Sequence, residues 1–423
     1  MLRLVASLFN LLFGMSVLLT GVGLLGSLLG IRAGLAGFSS EVTGVVMAAY
    51  FAGYILGTYL CPRIIRRVGH VRAFTIFAAL GSTVSIAHAL WIDPWFWGVL
   101  RFVNGAGMVG LYMVMESWLN STVSNEGRGR LFSAYVMSTL LAMGLGQLLL
   151  TVGPAGSFVP FALVSMLFSL GLIPVALTRV PQPTPIEHPS LHLRQLVGFS
   201  PLGTVGTLIA GVTSGTFWAL GAVFAHGVGL ATAQIGAFMA VSIAGGAFLQ
   251  WPLGKLSDRF DRRTVLLFIC VGGALLATAI ALVGARSLPL LLALSFVYGG
   301  FSFTLYGVSV AHMNDQIRVE DMLEASSGLL MLYGIGAVVG PVLGGVLMSH
   351  FGSPSLPLYL ASAFALLGLF GLYRNRVSDA PPREEQGEFV PLVRTSQAAI
   401  ELSHPEATAA DTGEAAPERQ SAA

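Results

Sequence analysis

An α-helix needs about 20 predominantly apolar residues to cross the hydrocarbon of a bilayer. This 423-residue chain contains twelve such runs, at about 4–29, 41–61, 72–91, 95–118, 131–152, 157–178, 201–226, 232–254, 264–285, 288–311, 323–348 and 355–375. Charge is scarce to match: Asp, Glu, Lys and Arg make up 10% of the residues, against roughly a quarter in ordinary soluble domains. A water-soluble protein of this length could not cover its surface with so little charge, so lipid is the expected solvent for most of the chain. The first run has Arg3 as a basic leader and could pass for a signal peptide, but it stays apolar to Leu29 without a small-residue cleavage site. It is therefore read as a retained membrane helix.

Most connections are short. The longest, Arg179–Ser200, carries Pro181, Pro183, Pro185 and Pro189 and reads as an extended linker. Beyond Val377 the sequence turns to Ala, Glu, Pro and Ser and holds nine of the 20 acidic residues; too few large apolar groups remain there to offset the entropy of ordering. The expected organisation is a six-helix bundle over 1–178, a linker over 179–200, a second six-helix bundle over 201–376 and a disordered tail over 377–423.

Basic residues set the expected orientation, because they concentrate on the cytoplasmic side of membrane proteins. With the N-terminus inside, sixteen Lys and Arg before the tail fall on the cytoplasmic side, two (Arg32 and Arg286) fall outside, and Arg101 lies within the fourth span. An error in the span count would scramble that segregation. The expectation is an N-in, C-in, multi-pass protein of the cell inner membrane.

The two halves resemble each other in sequence. At an offset of 192, Gly37–Gly44 aligns with Gly229–Gly236, Met47-Ala48 with Met239-Ala240, and Ala52-Gly53 with Ala244-Gly245. Near an offset of 194, Phe102-Val103-Asn104-Gly105 aligns with Phe296-Val297-Tyr298-Gly299, and Leu111-Tyr112 with Leu305-Tyr306. Long runs sharing one offset in corresponding spans mark an internal repeat.

Three motifs carry a resemblance to a known family. The loop Gly254-Lys255-Leu256-Ser257-Asp258-Arg259-Phe260-Asp261-Arg262-Arg263 resembles the signature between helices 8 and 9 of the major facilitator superfamily. Arg101-Phe102-Val103-Asn104-Gly105-Ala106-Gly107 resembles its helix-4 motif. Gly336-Ala337-Val338-Val339-Gly340-Pro341 resembles a Gly-Pro motif usually noted in helix 5 of antiporters, here in the pseudo-symmetric eleventh span. Pro62–His70 together with Glu116-Ser117-Trp118-Leu119-Asn120 is similar to the YcaD-like subgroup, which brings no substrate with it. The resemblance covers about residues 4–376. It implies an all-α integral membrane protein of twelve transmembrane helices in two pseudo-symmetric six-helix bundles, working as a secondary transporter by alternating access.

The family's signature loop places its acid against the start of a helix in the other half. Asp258 would then approach the start of the fifth span, near Arg128 and Arg130, where a helix N-terminus also favours an anion. The repeat puts Arg66 in the place of Asp258 and Glu324 in the place of Arg130, so Arg66 would approach the eleventh span with charges reversed on both sides. These groups are read as two latches on the cytoplasmic face, with solvated surface charges of little energetic weight as the alternative.

Ionisable groups inside a membrane span are informative because they are costly. Arg101 cannot lose its proton; it either faces the cavity, holding an anion or influencing a proton site, or snorkels to the outer surface. Glu116 is a candidate for coupling to protons, since burial raises a carboxylate pKa, or a static partner of Arg128 or Arg130. The fold implied by the resemblance lines its cavity mainly with helices 1, 4, 7 and 10. Those spans offer Asn10, Ser16 and Thr20; Asn104 and Tyr112; Thr207, Ser214 and Trp218; and Tyr298, Ser302 and Tyr306 at i, i+4, i+8 on one helix face. Tyr, Trp and hydroxyl groups suit a small polar or amphipathic organic solute; interhelical packing is the competing role for each of them.

No Walker-type phosphate loop occurs, which argues against direct use of ATP. An integral-membrane enzyme would need clustered His, Asp or Glu, or a nucleophile with its base, and the spans hold no such set. Cys61 and Cys270 sit in separate helices, which argues against a disulfide or a metal site. The expected partners are a small-molecule substrate, the lipid bilayer and candidate coupling protons, with no nucleic acid, cofactor or metal, and with the chain as a monomer. A non-transporting sensor on the same fold, hinted at by the acidic tail, is the alternative.

Overall fold

The computed structural model describes residues 2–122, 125–178, 193–284, 286–318 and 322–377, with Gln386 and Phe389 from the tail. Side chains of 2–8, 122–130, 193, 194, 322–324 and 326 are outside that description, which leaves out Arg128, Arg130 and Glu324. The elements are α1 (Leu2–Leu35), α2 (Ser40–Val68), α3 (His70–Leu90), α4 (Pro94–Thr122), α5 (Asn125–Leu148), α6 (Val159–Ala176), α7 (Leu193–Phe199), α8 (Pro201–Gly227), α9 (Thr232–Arg259), α10 (Arg262–Val283), α11 (Leu288–Asn314), α12 (Met322–Phe351) and α13 (Ser355–Val377). A 3-10 turn at Leu149–Thr151 follows α5. Among the described residues, twelve helices are long and apolar enough to cross a membrane. The protein is a multi-pass membrane protein.

Local chemistry sets the ends. Ser39, Ser200 and Asp261 accept hydrogen bonds from the backbone N–H groups of Val42, Gly203 and Thr264, capping α2, α8 and α10, and thereby pair donors that a helix start leaves open. Gly69, at φ 83°, closes α2 and opens α3 in one residue, a left-handed conformation that glycine adopts without strain. The segment 193–199, expected as extended linker, folds as α7. The four prolines all precede it, and Leu193–Phe199 itself holds none.

Large apolar side chains cover the outside of the protein as well as its core. Trp95, Leu90, Leu282 and Phe351 are exposed, whereas Glu116, Gln147, Thr213 and Ser302 are buried. Buried polar groups pair across helices. Gln147 of α5 accepts from Ser27 of α1 at 2.5 Å and donates to the Gly23 carbonyl at 2.8 Å; Ser82 of α3 meets Ser165 of α6 at 2.7 Å. Trp91 and Trp95 are exposed at the ends of α3 and α4, as expected of tryptophans in a membrane-interface belt.

The internal repeat has a geometric meaning. A Cβ added at Gly53 of α2 would overlap the Phe102 carbonyl oxygen of α4, and one at Gly105 would overlap the Tyr50 carbonyl oxygen. In the second half, a Cβ at Gly245 of α9 would overlap the Phe296 carbonyl oxygen of α11, and one at Gly299 the Ser242 carbonyl oxygen. The two halves thus share an equivalent backbone-to-backbone crossing that glycine permits.

Phe389 of the tail reaches the second bundle. Its ring fills the space beside Gly254 of α9 and Gly307 of α11, and its N–H donates to Asp258 Oδ1 at 2.8 Å. The rest of the tail, apart from Gln386, lies outside the described residues.

Candidate functional site

A cavity lies between the halves and is lined by residues of both. The first half contributes α1 (Val22, Gly26), α2 (Tyr50, Tyr54, Thr58, Tyr59), α4 (Arg101, Tyr112) and α5 (Thr139, Met143); the second contributes α8 (Trp218) and α12 (Ser327, Met331, Tyr333).

Both halves close over one end of it, the end away from the basic loops. A Cβ at Gly34 of α1 would lie 3.0 Å from the His226 ring of α8. One at Gly236 of α9 would lie 2.5 Å from the Gln147 carbonyl oxygen of α5, and one at Gly44 of α2 would overlap the Pro341 carbonyl oxygen of α12. Toward the other end the walls run down to Thr58, Tyr59, Ser327 and Met331. There Tyr59 Oη reaches Met331 Sδ at 3.5 Å in an exposed position.

The wall is aromatic. Tyr50 and Tyr54 lie one helical turn apart with ring centroids separated by 6.1 Å, and Tyr54 continues to Tyr112 at 6.5 Å. Trp218 is backed by Phe303, its ring stacked at 5.6 Å and 3°. Arg101 sits among these rings with 7% of its surface exposed, its guanidinium carbon 4.5 Å from the Tyr50 ring centre. Cation–π contact of this kind offsets part of the cost of burying the charge. Among the described residues, Arg101 Nε, Thr139 Oγ1 and Ser327 Oγ are buried without a hydrogen-bond partner, and the lining includes no Asp or Glu.

The sequence-predicted residues divide. Arg101, Tyr112 and Trp218 line the cavity. Asn10 and Thr20 do not; Thr20 Oγ1 donates to the Ser16 carbonyl of its own helix at 2.9 Å, and α1 turns the face of Val22 and Gly26 inward instead. Asn104 and Ser214 are buried behind the wall. The tenth span, α11, lends no residue to the lining, contrary to expectation. Its Gly299 crossing with α9 turns its polar face into the second bundle. Tyr298 packs edge-on against Phe364 of α13 at 6.1 Å, Ser302 is fully buried, and Tyr306 stands behind Tyr333 at 5.3 Å.

Tyr50, Tyr54 and Thr58 were missed. They repeat at i, i+4, i+8 on α2, the same signal that singled out α11, but the second span was not among those expected to line the cavity.

Glu116 is fully buried near the other end of α4 and accepts a hydrogen bond from Tyr135 Oη of α5 at 2.9 Å, off the cavity wall. Asp258 is held by the tail's Phe389 N–H and by Arg262 at 3.5 Å. Arg66 is exposed; the side chains of its expected partner Glu324, and of Arg128 and Arg130, lie outside the described residues. Cys61 and Cys270 are buried and free. Among the described residues, no group of three or more His, Cys, Asp or Glu could hold a metal ion.

A cavity between two glycine-crossed, repeated bundles of membrane helices defines the class: a two-fold pseudo-symmetric membrane protein with its site at the repeat interface. The chain belongs to the major facilitator superfamily, whose family model matches residues 11–202 and again 203–401, once for each half. It is 30% identical over 367 residues to the MFS-type transporter YcaD of Escherichia coli O17:K52:H18, covering 86% of this chain and 94% of that protein. Among solved structures, the nucleoside transporter NupG aligns with a TM-score of 0.74 at 12% identity, over 89% of this chain and 100% of that one. A bacterial homologue of the human lysosomal transporter Spinster, in an inward-facing and unoccupied conformation, aligns with a TM-score of 0.69 at 16% identity, over 95% and 94%.

Proposed function

We propose that the protein is a secondary transporter of the cell inner membrane that moves a small organic solute by alternating access. The observation that carries this is the placement of the cavity: both halves wall it, and both close one end of it. Rocking one bundle against the other about a fixed site would expose it to the two sides in turn. Assigning the basic end to the cytoplasm by the positive-inside rule, the conformation is closed to the outside with the cavity running toward the cytoplasm. The matches to a nucleoside transporter and to an inward-facing Spinster homologue support this reading. Glu116 is the proposed proton-coupling group, acting through α4 and α5, since it does not reach the cavity wall. The latch reading of Arg66–Glu324 and Asp258–Arg128/Arg130 belongs to the opposite, cytoplasm-closed state.

The test is a pair of cysteines, Gly34→Cys and His226→Cys, in a chain whose Cys61 and Cys270 are replaced by Ala, reconstituted in liposomes. Oxidation should bridge α1 to α8 at the outer end and stop solute exchange, and reduction should restore it. Exchange that continues with the bridge formed refutes alternating access. Uptake of no solute from a broad panel, under any ion gradient, favours the sensor.

A further inference from the structure

The chemistry of the cavity names a class of ligand, an inference that rests on the transporter reading above. Arg101 is a permanent cation, more than nine-tenths buried, lining the cavity and facing no carboxylate on its wall. Among the described residues it forms no ion pair. A buried charge without a counter-charge is strongly destabilising, and one Tyr50 ring returns only a fraction of that cost.

The repeat shows that packing does not demand the charge. At the corresponding crossing in the second half, Ser295 stands where Arg101 does and Ser242 where Tyr50 does, and the same glycine-mediated contact forms without either. The cation and its ring are an addition to one half of a symmetric scaffold.

We propose that the cavity binds an amphipathic organic monoanion: a single carboxylate or sulfonate against Arg101, attached to a flat apolar body held among Tyr54, Tyr112, Trp218 and Tyr333. Among the described residues the wall holds one cation and no acid, which sets the charge at one negative. Arg101 Nε and the terminal nitrogens present a fork that matches a carboxylate, and the unpartnered hydroxyls of Thr139 and Ser327 provide further donors to polar substituents. The ring-lined wall favours an aromatic or alicyclic skeleton over a sugar-like polyol.

The probes are 1-naphthoate, 1-naphthalenemethanol and 1-naphthylmethylamine, which share one ring system and differ in charge, with phosphate as an inorganic control. Binding to the detergent-solubilised full chain is read by thermal stabilisation and by quenching of tryptophan fluorescence. The naphthoate should bind at least tenfold more tightly than the alcohol, and the amine and phosphate should not bind measurably. Arg101→Gln should weaken naphthoate by roughly 30-fold or more, the scale for removing one partner of a buried charge pair, while leaving the alcohol unchanged. Arg101→Lys, which keeps the charge but loses the fork, should retain part of the preference and guards against misfolding of the glutamine variant.

Equal binding of the three organic probes overturns the proposal, as does naphthoate binding that survives Arg101→Gln, or no naphthoate binding to a folded protein. Phosphate binding as tightly as naphthoate overturns the amphipathic part. Liposome transport separates this from the reading beneath it. Transport of a neutral solute with no anion preference sinks the anion site and keeps the transporter; anion binding without transport does the reverse.

Discussion

Breaking the Arg262–Asp315 pair should destabilise the second bundle by about 3 kcal/mol. Arg262 opens α10 and is buried at 1% side-chain exposure; Asp315 follows the last residue of α11 and is buried at 2%. The guanidinium bonds Asp315 Oδ1 and also donates to the Ala311 carbonyl at 2.8 Å, in the last turn of α11, where a cation also meets the negative end of the helix dipole. The pair ties the signature loop to α11. Removing one partner of a buried pair costs about 3–5 kcal/mol, because the other charge is left uncompensated. Asp258, 3.5 Å from Arg262 and 30% exposed, recovers part of that, so Asp315→Ala belongs near the lower end.

With roughly 2–4 °C lost per kcal/mol for a unit of 150–250 residues, the apparent Tm should fall by about 6–12 °C. The assay is thermal unfolding in detergent with a double-mutant cycle. Replacing both members by apolar residues of similar volume, Arg262→Met with Asp315→Leu, should cost less than Asp315→Ala alone, since no charge is stranded. A loss under about 1 kcal/mol for Asp315→Ala, or a double variant that costs the sum of its singles, would refute the reasoning.

Three further outcomes follow from the structure. Gly53→Ala and Gly245→Ala should each lower the thermal stability by a similar amount, on the order of 1–3 kcal/mol for overpacking, because each Cβ meets a backbone carbonyl at the equivalent crossing; a large effect in one half and none in the other would deny the shared geometry. Glu116→Gln should leave solute exchange intact but abolish its acceleration by a pH gradient, and a variant still driven by pH would remove Glu116 from coupling. Phe389→Ala should release the tail from the second bundle and raise tryptic cleavage at Arg383 and Arg394 several-fold, and Gly254→Leu, which fills the same space, should do likewise; unchanged cleavage in both would show that the Phe389 contact does not hold the tail.

Hydropathy read the membrane, and the helices are longer than the membrane. The second span was expected to end near Cys61, yet α2 continues through Pro62 to Val68; the eighth was expected to end at Gly254, yet α9 runs through Pro252 to Arg259. These extensions carry Arg63, Arg66, Arg67 and Lys255, which an apolar window rejects and a helix leaving the lipid accepts. The start of α5 at Asn125 was missed for the same reason, since Glu126, Arg128 and Arg130 interrupt the apolar run.

The equivalence of the halves is legible because glycine leaves a sequence trace: Gly53 and Gly245, like Gly105 and Gly299, match in the repeat. Which helix each one packs against is visible only in the structure. The site was less legible. Periodicity shows that Tyr298, Ser302 and Tyr306 share a face, but not which neighbour that face meets, and Phe364 decides it for Tyr298. Tyr50 and Tyr54 carried an equal signal in a span assumed to be peripheral.

The departures from symmetry bear on how such a site would work. Arg101, Tyr50 and Tyr54 belong to the first bundle, and their counterparts Ser295, Ser242 and Gly246 belong to the second. A solute anchored on Arg101 would stay with the first bundle, and the second would supply a wall, with Trp218, Ser327 and Tyr333, that moves across it. The energetic bias between the two states would then have to come from contacts remade by the second bundle. Under the proposed latch, Asp258 would take that role. In the present conformation it is engaged by Arg262 and by the tail's Phe389 N–H, and a latch to the start of α5 would need to exchange at least the Phe389 contact. A ligand can shift such an equilibrium only through its differential affinity for the two states. An anion that neutralises Arg101 and allows the second bundle to close over a dry, compensated charge has such a difference available, whereas a neutral solute leaves the buried cation as costly in the closed state as before.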